Sequence, residues 1–278
     1  MAELVCVLAL SHAPGLTGWL DQAPQDQQRR LLDGYRQLHD AFQAAKPDVV
    51  IGIANDHLLN MPVDDTADFL VGTAETWQGP APWFSDWLNV PPYTVRGHKA
   101  LAEMLADGLG CRRSDRLMFD DNWSVPLKFL TPSYDVALVP IHMNCIVPPL
   151  PSPQRCYAAG QAIAEIVRRR PAGERVAIMA TGGLSHDPGG PRYFAVDEKF
   201  DRHFLSLLEA GDPERVLREI TIDTMVGAGD GGTTELLSWI VALGAAGRRP
   251  ARTLCYEAAV ELRCGMGGVV WDLAPARA

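Results

Sequence analysis

Short apolar runs alternate with amphipathic segments along the chain, and this alternation predicts an α/β fold. Four continuous apolar runs of strand length lie at residues 4–10, 48–54, 135–141 and 175–180. Continuous runs of this kind are typical of strands that are buried on both faces. Residues 27–45 and 154–169 instead repeat apolar side chains every three or four positions, as amphipathic helices do. We therefore predict a central, largely parallel or mixed sheet flanked by helices, with later strands at residues 254–262 and 268–273.

A histidine follows each of these four apolar runs at the point where the predicted strand ends. His12 follows the first run, His57 the second, His142 the third and His186 the fourth. The first two runs and the helix between them predict a right-handed βαβ unit. Ligands of open α/β sheets bind at the carboxyl ends of the strands. We therefore expect the active site at this rim, with His12, His57 and His186 close together.

A carboxylate in an apolar helix adds a second kind of ligand to these histidines. Glu235 lies in the first turn of a helix that is rich in leucine, isoleucine and tryptophan. It could simply stabilise the helix dipole. Two imidazoles and one carboxylate are also the ligand set of a non-heme ferrous site, and the same set fits a catalytic zinc ion. The residues alone leave the structural, iron and zinc interpretations open, and His186 would be a free acid or base.

Composition narrows the class of protein without identifying its chemistry. The 278 residues are 47% hydrophobic and 21% charged, as in ordinary globular proteins, and no repeat or linker divides them. We predict a single domain over residues 1–278. The formal net charge of -9 disfavours nucleic acid as a partner, because such binders need a basic surface.

The same composition predicts a protein without a membrane partner. No apolar run reaches the roughly 18 residues of a membrane span. The first apolar run has no basic segment before it, so it resembles a core strand more than a signal peptide. The six cysteines form no Cys-x-x-Cys pair. We therefore expect a cytoplasmic protein with reduced thiols.

Short motifs across nearly the whole chain resemble those of one enzyme family. They lie at residues 11–12 (SH), 47–50 (PDVV), 55–57 (NDH), 74–77 (AETW), 97–98 (GH), 125–127 (VPL), 155–156 (RC), 181–186 (TGGLSH), 190–192 (GPR) and 235–239 (ELLSW). Each motif is weak, but their order is specific. The chain resembles the class III (LigB-type) extradiol ring-cleavage dioxygenases, most closely the β subunit of protocatechuate 4,5-dioxygenase.

This resemblance implies a metal, a reaction and a role for each candidate residue. His12, His57 and Glu235 would hold Fe(II), and His186 would be the active-site acid/base. The enzyme would insert both atoms of O2 into a catechol-type ring and open it next to the diol, in the catabolism of aromatic compounds. The ring would be a dihydroxylated aromatic or a hydroxylated N-heterocycle such as a hydroxypyridone. The alternatives are a zinc hydrolase and a non-enzymatic metal-binding relative on the same fold.

One departure from the family pattern concerns the substrate. Asp121 stands where the family commonly has a pocket histidine. We expect its carboxylate to accept a hydrogen bond or a proton from the substrate, to favour a ring with an N–H, an amine or an extra hydroxyl, and to repel an anionic substituent. Trp123 would narrow the pocket, and Arg192 is a further predicted substrate-binding residue.

A second departure concerns the closure of the site. The protocatechuate enzyme pairs its β chain with a small α chain, and no such segment is appended to this sequence. Residues 60–95 are rich in proline and tryptophan, which is typical of a pocket wall, a lid or an irregular satellite core. We expect residues 80–92 to close the pocket in a homo-oligomer, with a separate α subunit as the alternative.

Overall fold

A computed structural model describes residues 1–271 and 273, in which strands and helices alternate along most of the chain. The strands are β1 (Glu3–Leu10), β2 (Val49–Asn55), β3 (Phe69–Gly72), β4 (Thr76–Gly79), β5 (Tyr93–Arg96), β6 (Arg112–Ser114), β7 (Ala137–Met143), β8 (Arg175–Thr181), β9 (Ala251–Ala259) and β10 (Cys264–Trp271). The helices are α1 (Gly15–Gly18), α2 (Gln25–Ala45), α3 (Ser85–Leu88), α4 (Lys99–Leu109), α5 (Asp121–Leu130), α6 (Pro153–Arg168), α7 (Glu198–Ala210), α8 (Pro213–Glu219), α9 (Ile222–Ala228) and α10 (Leu236–Ala246).

Eight strands form one mixed sheet in the order β6-β3-β7-β2-β8-β1-β10-β9, and β4 and β5 form a separate hairpin. The four central strands β7, β2, β8 and β1 are parallel. Strand β3 is antiparallel to β7, and β10 is antiparallel to β1. The predicted fold class, a single α/β domain with a mixed central sheet flanked by helices, is confirmed.

The predicted βαβ unit needs one correction, because β8 lies between β1 and β2. Thr181 at the end of β8 pairs with Leu10 of β1 on one side and with Ala54 of β2 on the other. The three strands therefore end at the same level. His12, His57 and His186 follow these ends, so their loops leave the sheet at one rim.

Helices cover both faces of the sheet because alternate side chains of each strand point to opposite sides. On β1, Val7 and Ala9 enter one hydrophobic cluster, whereas Leu8 and Leu10 enter the other. Apolar residues of α4, α6 and α10 complete the first cluster, and those of α2 and α5 complete the second. The result is a sheet between two helical layers, with the core on both faces.

Two glycines let α6 and α10 pack with their backbones in contact. A Cβ atom at Gly160 would lie 1.9 Å from the carbonyl oxygen of Val241. One at Gly244 would lie 2.1 Å from the carbonyl oxygen of Tyr157. Any larger residue would push the helices apart, so this contact fixes the position of α10. The start of α10, next to Glu235, is thereby held near the rim of the sheet.

The sequence predicted the long elements well and the short ones poorly. The helix predicted at residues 27–45 is α2, and the one predicted at residues 154–169 is α6. Residues 60–95 contain β3, β4, β5 and α3, which the sequence pattern did not reveal. The strand predicted at residues 268–273 is β10, which begins four residues earlier, at Cys264. Residue 272 of the predicted strand lies outside the described residues. Among the described helices, none has the length and apolar character needed to cross a membrane.

Candidate active site

His12 lies in the loop after β1, where a threonine fixes its buried imidazole. Nδ1 of His12 lies 3.0 Å from Oγ1 of Thr181. The Thr181 hydroxyl donates its own hydrogen to the carbonyl oxygen of Asn122 at 2.9 Å. Oγ1 therefore accepts a hydrogen bond from Nδ1–H of His12. The lone pair on Nε2 is left free to bind a metal ion.

His57 follows β2, and a buried carboxylate fixes its imidazole in the same way. Oδ2 of Asp120 lies 3.1 Å from Nδ1 of His57. Ionised carboxylates only accept hydrogen bonds, so Nδ1 carries a hydrogen, and a metal ion bound at Nε2 would take the place of a second proton. Oδ1 of Asp120 also accepts from the backbone N–H of Asn122, at the start of α5. A carboxylate that orients a histidine is typical of metal sites.

Glu235 lies in a short 3-10 turn directly before α10, and its side chain is buried. Its Oε1 accepts a hydrogen bond from Nδ2 of Asn55 at 3.1 Å. Its Oε2 accepts one from the backbone N–H of Gly183 at 2.7 Å. These two donors come from the ends of β2 and β8, so the sheet itself orients the carboxylate. Carboxylate oxygens have further lone pairs available for a metal ion.

The free atoms of these three side chains converge. Oε2 of Glu235 lies 3.3 Å from Nε2 of His12, and Oε1 lies 3.0 Å from Nε2 of His57. Two atoms that occupy neighbouring positions about 2.1 Å from one metal ion lie about 3 Å apart. The rings of the two histidines are nearly perpendicular, at 87°. The spacing and the chemistry of this donor set therefore fit one metal ion.

Asp121 adds a second carboxylate beside the two histidines. Ligand atoms of His12, His57 and Asp121 all lie within 4.8 Å of one another. However, Oδ1 of Asp121 lies 3.5 Å from Nδ1 of His57, which is the nitrogen that carries the hydrogen. Glu235 instead adjoins the Nε2 atoms of both rings. The hydrogen-bond pattern therefore favours Glu235 as the third ligand and leaves Asp121 beside the site.

The electrostatics of this cluster favour a bound cation. Burial by itself would lower the pKa of His57, but the carboxylates of Asp120 and Asp121 outweigh it and raise that pKa well above its usual value. Burial opposes ionisation of Glu235, yet His12 and His57 hold its pKa well below the usual value. Several buried carboxylates around two imidazoles need positive charge to compensate them.

His186 stands beside the cluster with its protonation pattern also fixed. Its Nδ1 lies 2.8 Å from the carbonyl oxygen of Leu184 and therefore donates to it. Its Nε2 carries the free lone pair and lies 3.8 Å from Oε2 of Glu235. A Cβ atom at Gly183 or at Gly232 would lie 2.6 Å from the ring of His186. The two glycines thus leave the space that the imidazole occupies.

These residues line a cavity of about 360 Å³. This volume is at the lower end of the range for small-molecule sites and suits a single-ring compound. The polar part of the lining contains His12, His57, Asp121, His186 and Glu235. The remaining walls are largely aromatic and apolar, and they include Trp19, Phe84, Trp87, Ile146, Pro188, Tyr193 and Leu262. Part of the segment 60–95 is therefore a pocket wall.

Two of the predicted substrate-binding residues do not line this cavity. Trp123 is fully buried, and its indole N–H donates to Nε2 of His142 at 2.9 Å. The guanidinium of Arg192 donates to the backbone carbonyls of Val226 and Gly227. Trp123 thus packs against the sheet, and Arg192 ties its loop to the end of α9. The prediction that these two side chains contact the substrate is corrected.

The other four histidines have structural partners. His142 accepts the hydrogen bond from Trp123 and lies 3.0 Å from Oδ1 of Asp56 within the core. His39 hydrogen-bonds two backbone carbonyl oxygens. His98 caps the start of α4, and His203 pairs with the carboxylate of Glu219. The three histidines that line the cavity are those that the sequence analysis selected.

Sequence reasoning missed the residues that orient the ligands. Asn55 and Thr181 lie in the motifs at residues 55–57 and 181–186, in which only the histidines were predicted to be site residues. Asp120 precedes Asp121, which was the predicted substrate-binding residue. Arg263 also lines the cavity, at the turn before β10. No sequence pattern marked it, because its place at the rim depends on the pairing of β10 with β1.

The comparisons with known proteins agree with this geometry. Residues 6–261 match the family described as the catalytic LigB subunit of aromatic ring-opening dioxygenase. The predicted resemblance to LigB-type enzymes is thereby confirmed, whereas the closer relation to the protocatechuate 4,5-dioxygenase β subunit stays a prediction. An uncharacterized protein of Escherichia coli K12 shares the fold, with a TM-score of 0.57, 15% identity and coverage of 96% of this chain and 99% of that chain.

Curated relatives are ring-cleaving enzymes. A gallate dioxygenase of Pseudomonas putida is 32% identical over 164 residues, which are 56% of this chain and 47% of that enzyme. A second P. putida relative, named 2,3-dihydroxyphenylpropionate/2,3-dihydroxicinnamic acid 1,2-dioxygenase 2, is 31% identical over 68% of this chain and 59% of its own length. An enzyme named for the same reaction in Cupriavidus necator is 26% identical, with coverage of 85% and 87%. The chain thus spans about half the length of the first relative and most of the third.

Proposed function

Because this chain belongs to the LigB family of aromatic ring-opening dioxygenases, we propose that it is an Fe(II)-dependent extradiol dioxygenase that opens a catechol-type ring next to its diol. The observation that carries the proposal is the convergence of three possible ligand groups, since Nε2 of His12 and Nε2 of His57 lie 3.3 Å and 3.0 Å from the carboxylate of Glu235. Two histidines and one carboxylate leave coordination positions open, as a reaction between an organic substrate and dioxygen requires.

The protein's own residues would supply orientation and proton transfer. Bound Fe(II) would supply a centre at which the diol and dioxygen meet. Both oxygen atoms enter the product as the ring carbon–carbon bond breaks, so the reaction needs no external reductant. Thr181 and Asp120 hold the two histidines in the tautomer that binds metal. The aromatic walls hold the ring and exclude water.

His186 would take a proton from a ring hydroxyl. Its Nδ1–H is engaged by Leu184, so only Nε2 can accept the proton. Nε2 lies 3.8 Å from the Glu235 carboxylate and therefore close to the metal ligands without being required as one. The same nitrogen would return a proton later in the turnover. Neutral His186 is thus the form that must meet the substrate.

Asp121 supports a second substrate class on the same site. Its carboxylate lines the cavity and lies 3.5 Å from Nδ1 of His57. An anionic oxygen at this position accepts hydrogen bonds, as an N–H or an additional hydroxyl on the ring would provide. A hydroxylated N-heterocycle such as a hydroxypyridone is therefore the alternative to a plain catechol, and Asp121 would accept its N–H.

The proposed setting is the cytoplasm. All six cysteines are free thiols, which is typical of proteins in a reducing compartment. Trp83 and Trp87 remain exposed next to the cavity wall. A second copy of the chain, or a small α subunit, would cover such a surface. A homo-oligomer remains our preferred arrangement.

Anaerobic reconstitution tests the function directly. We expect the protein loaded with Fe(II) to consume oxygen and form yellow ring-opened products from members of a panel of catechols, aminophenols and hydroxypyridones. The His186→Ala variant should keep its iron and lose a factor of about 100 to 10,000 in turnover. Activity with Zn(II) but not with Fe(II) would instead support a hydrolase, and loss of iron from His186→Ala would contradict the role of this histidine.

A further inference from the structure

Arg263 is a cavity-lining residue that the ring-opening chemistry does not use. It lies between a 3-10 turn at Val260–Leu262 and β10, and its backbone is left-handed, with φ of 62°. Residues other than glycine adopt this conformation only rarely. Glycine would fit the backbone better, so the side chain is the feature to explain. Strained residues of this kind concentrate at functional sites.

The guanidinium of Arg263 is held in an aromatic box. Its central carbon lies 5.3 Å from the ring of Trp19, 4.7 Å from that of Tyr193 and 5.6 Å from that of Phe194. Its Nη1 donates to the Tyr193 hydroxyl at 2.5 Å. Trp19 and Tyr193 themselves line the cavity. These contacts fix the direction of the side chain and shield its charge in part from water.

The charge of Arg263 has no anionic partner in the described part of the chain. No ion pair there includes Arg263, and its buried Nε has no hydrogen-bond partner. Arginine offers five N–H donors, and only one is used here, by Tyr193. The cavity's carboxylates have other partners, since Asp120 binds His57 and Glu235 binds Asn55 and Gly183. A partly shielded charge whose buried Nε–H has no acceptor is costly, which indicates that a ligand completes the pairing.

We infer that Arg263 binds an anionic group of the substrate, namely a carboxylate attached directly or through a short chain to the ring. This inference rests on the proposed function and specifies its substrate class. The diol would face His12, His57 and Glu235 while the carboxylate meets the guanidinium. Two attachment points would fix which ring bond lies beside the metal ligands.

This assignment modifies the expectation drawn from Asp121. The sequence predicted that Asp121 disfavours any anionic substituent. In the structure Asp121 adjoins His57, whereas Arg263 contacts Trp19, Tyr193 and Phe194. Repulsion by Asp121 therefore applies to substituents next to His57. A carboxylate on the part of the ring that faces Arg263 would be attracted.

Binding to metal-free protein tests the inference without requiring turnover. The probes are benzoate, phenylacetate and 3-phenylpropionate, each paired with its neutral amide and measured by calorimetry. We expect at least one acid to bind about 10-fold more tightly than its amide. Arg263→Gln should weaken that acid about 30-fold or more and leave the amide unchanged, because it removes one partner of a desolvated charge pair. Arg263→Lys should retain part of the preference.

The matched control is Arg155→Gln, which removes another arginine that lies over an aromatic ring, Phe69 at 5.8 Å, outside the cavity lining. It should bind the acid as the unmodified protein does. Equal binding of acid and amide, unchanged binding in a folded Arg263→Gln variant, or an equal loss in both variants would overturn the inference. Circular dichroism establishes that each variant is folded.

Steady-state kinetics then separate this inference from the proposed function. Dihydroxylated aryl carboxylates and their methyl esters form matched substrate pairs. Arg263→Gln should raise KM for the acid about 30-fold or more and leave kcat and KM for the ester unchanged. No cleavage of any ring compound by the iron-loaded protein would defeat the proposed function. Cleavage of acid and ester with equal kcat/KM would defeat only the role of Arg263.

Discussion

At the scale of single residues, the site depends on which nitrogen of each histidine carries the hydrogen. Thr181, Asp120 and the carbonyl oxygen of Leu184 each accept from an Nδ1–H, respectively of His12, His57 and His186. Nε2 of each ring therefore faces the site, where a metal ion would bind the Nε2 atoms of His12 and His57 and a substrate proton would bind that of His186. One common protonation pattern thus provides two metal ligands and one base.

The two carboxylates near His57 can be distinguished by their effect on metal binding. Glu235→Gln should lower the affinity for Fe(II) at least 100-fold, because it removes a negative ligand that adjoins both Nε2 atoms. Asp121→Asn should retain Fe(II) within about a factor of ten. Metal content after dialysis, measured by mass spectrometry, gives the answer. The reverse ranking would make Asp121 the ligand and Glu235 a positioning residue.

At the scale of elements, α7 holds the loop that carries His186. Asp201 of α7 is buried and accepts hydrogen bonds from the backbone N–H of Ser185 at 2.7 Å and from its hydroxyl at 2.9 Å. The Tyr256 hydroxyl of β9 donates to the same carboxylate at 2.9 Å. A helix and an outer strand thus fix the residue that precedes His186.

This contact predicts a pH-dependent stability. Burial raises the pKa of Asp201 to about 6, although Ser185 and Tyr256 partly offset the effect, and Asp197 adds to the rise. The folded protein therefore favours the neutral carboxyl, and this stabilisation is lost as pH rises from about 4 through 6. With a shift of about two pKa units, the loss is about 3 kcal/mol.

Urea unfolding at pH 4, 5, 6 and 7 measures this loss. Asp201→Asn removes the titration, so the unfolding free energy of the variant relative to that of the unmodified protein should rise by about 3 kcal/mol between pH 4 and 7. The absolute difference also contains altered hydrogen bonds and is not informative. Parallel pH profiles for the two proteins would contradict the assignment.

At the scale of the whole molecule, strand order and helix packing bring distant residues together. His12 and Glu235 are separated by most of the chain, yet their side chains lie 3.3 Å apart. Strand β8 delivers Thr181 and Gly183 between the loops of β1 and β2, and α10 places Glu235 opposite them. A metal ion at this point would connect loops from opposite ends of the chain.

Metal binding should therefore stabilise the whole fold. Fe(II) at about 100 times its Kd should raise the unfolding free energy by about 2.7 kcal/mol, because the unfolded chain does not assemble the ligands. For a domain of this size, Tm should rise by roughly 5 °C. Anaerobic thermal scans with and without Fe(II) measure the shift, and His12→Ala should abolish it. An equal shift in that variant would place the metal elsewhere.

Local sequence pattern was sufficient to predict the central strands, the long helices and the family. Apolar runs of strand length located the central strands, and three- or four-residue spacing located the long helices, because these periodicities follow from backbone geometry. The positions of His12, His57 and His186 just after strand ends predicted that they share a rim. The order of short motifs identified the family.

The contacts between residues across that rim, in contrast, became evident only from the three-dimensional packing. The insertion of β8 between β1 and β2, the pairing of His57 with Asp120 and the approach of Arg263 to the cavity all join distant or unpatterned positions. Arg192 lies in one of the family motifs and Trp123 lies two residues before another, yet neither side chain lines the cavity. Local pattern cannot fix such contacts, because they depend on the order of strands and the direction of each side chain.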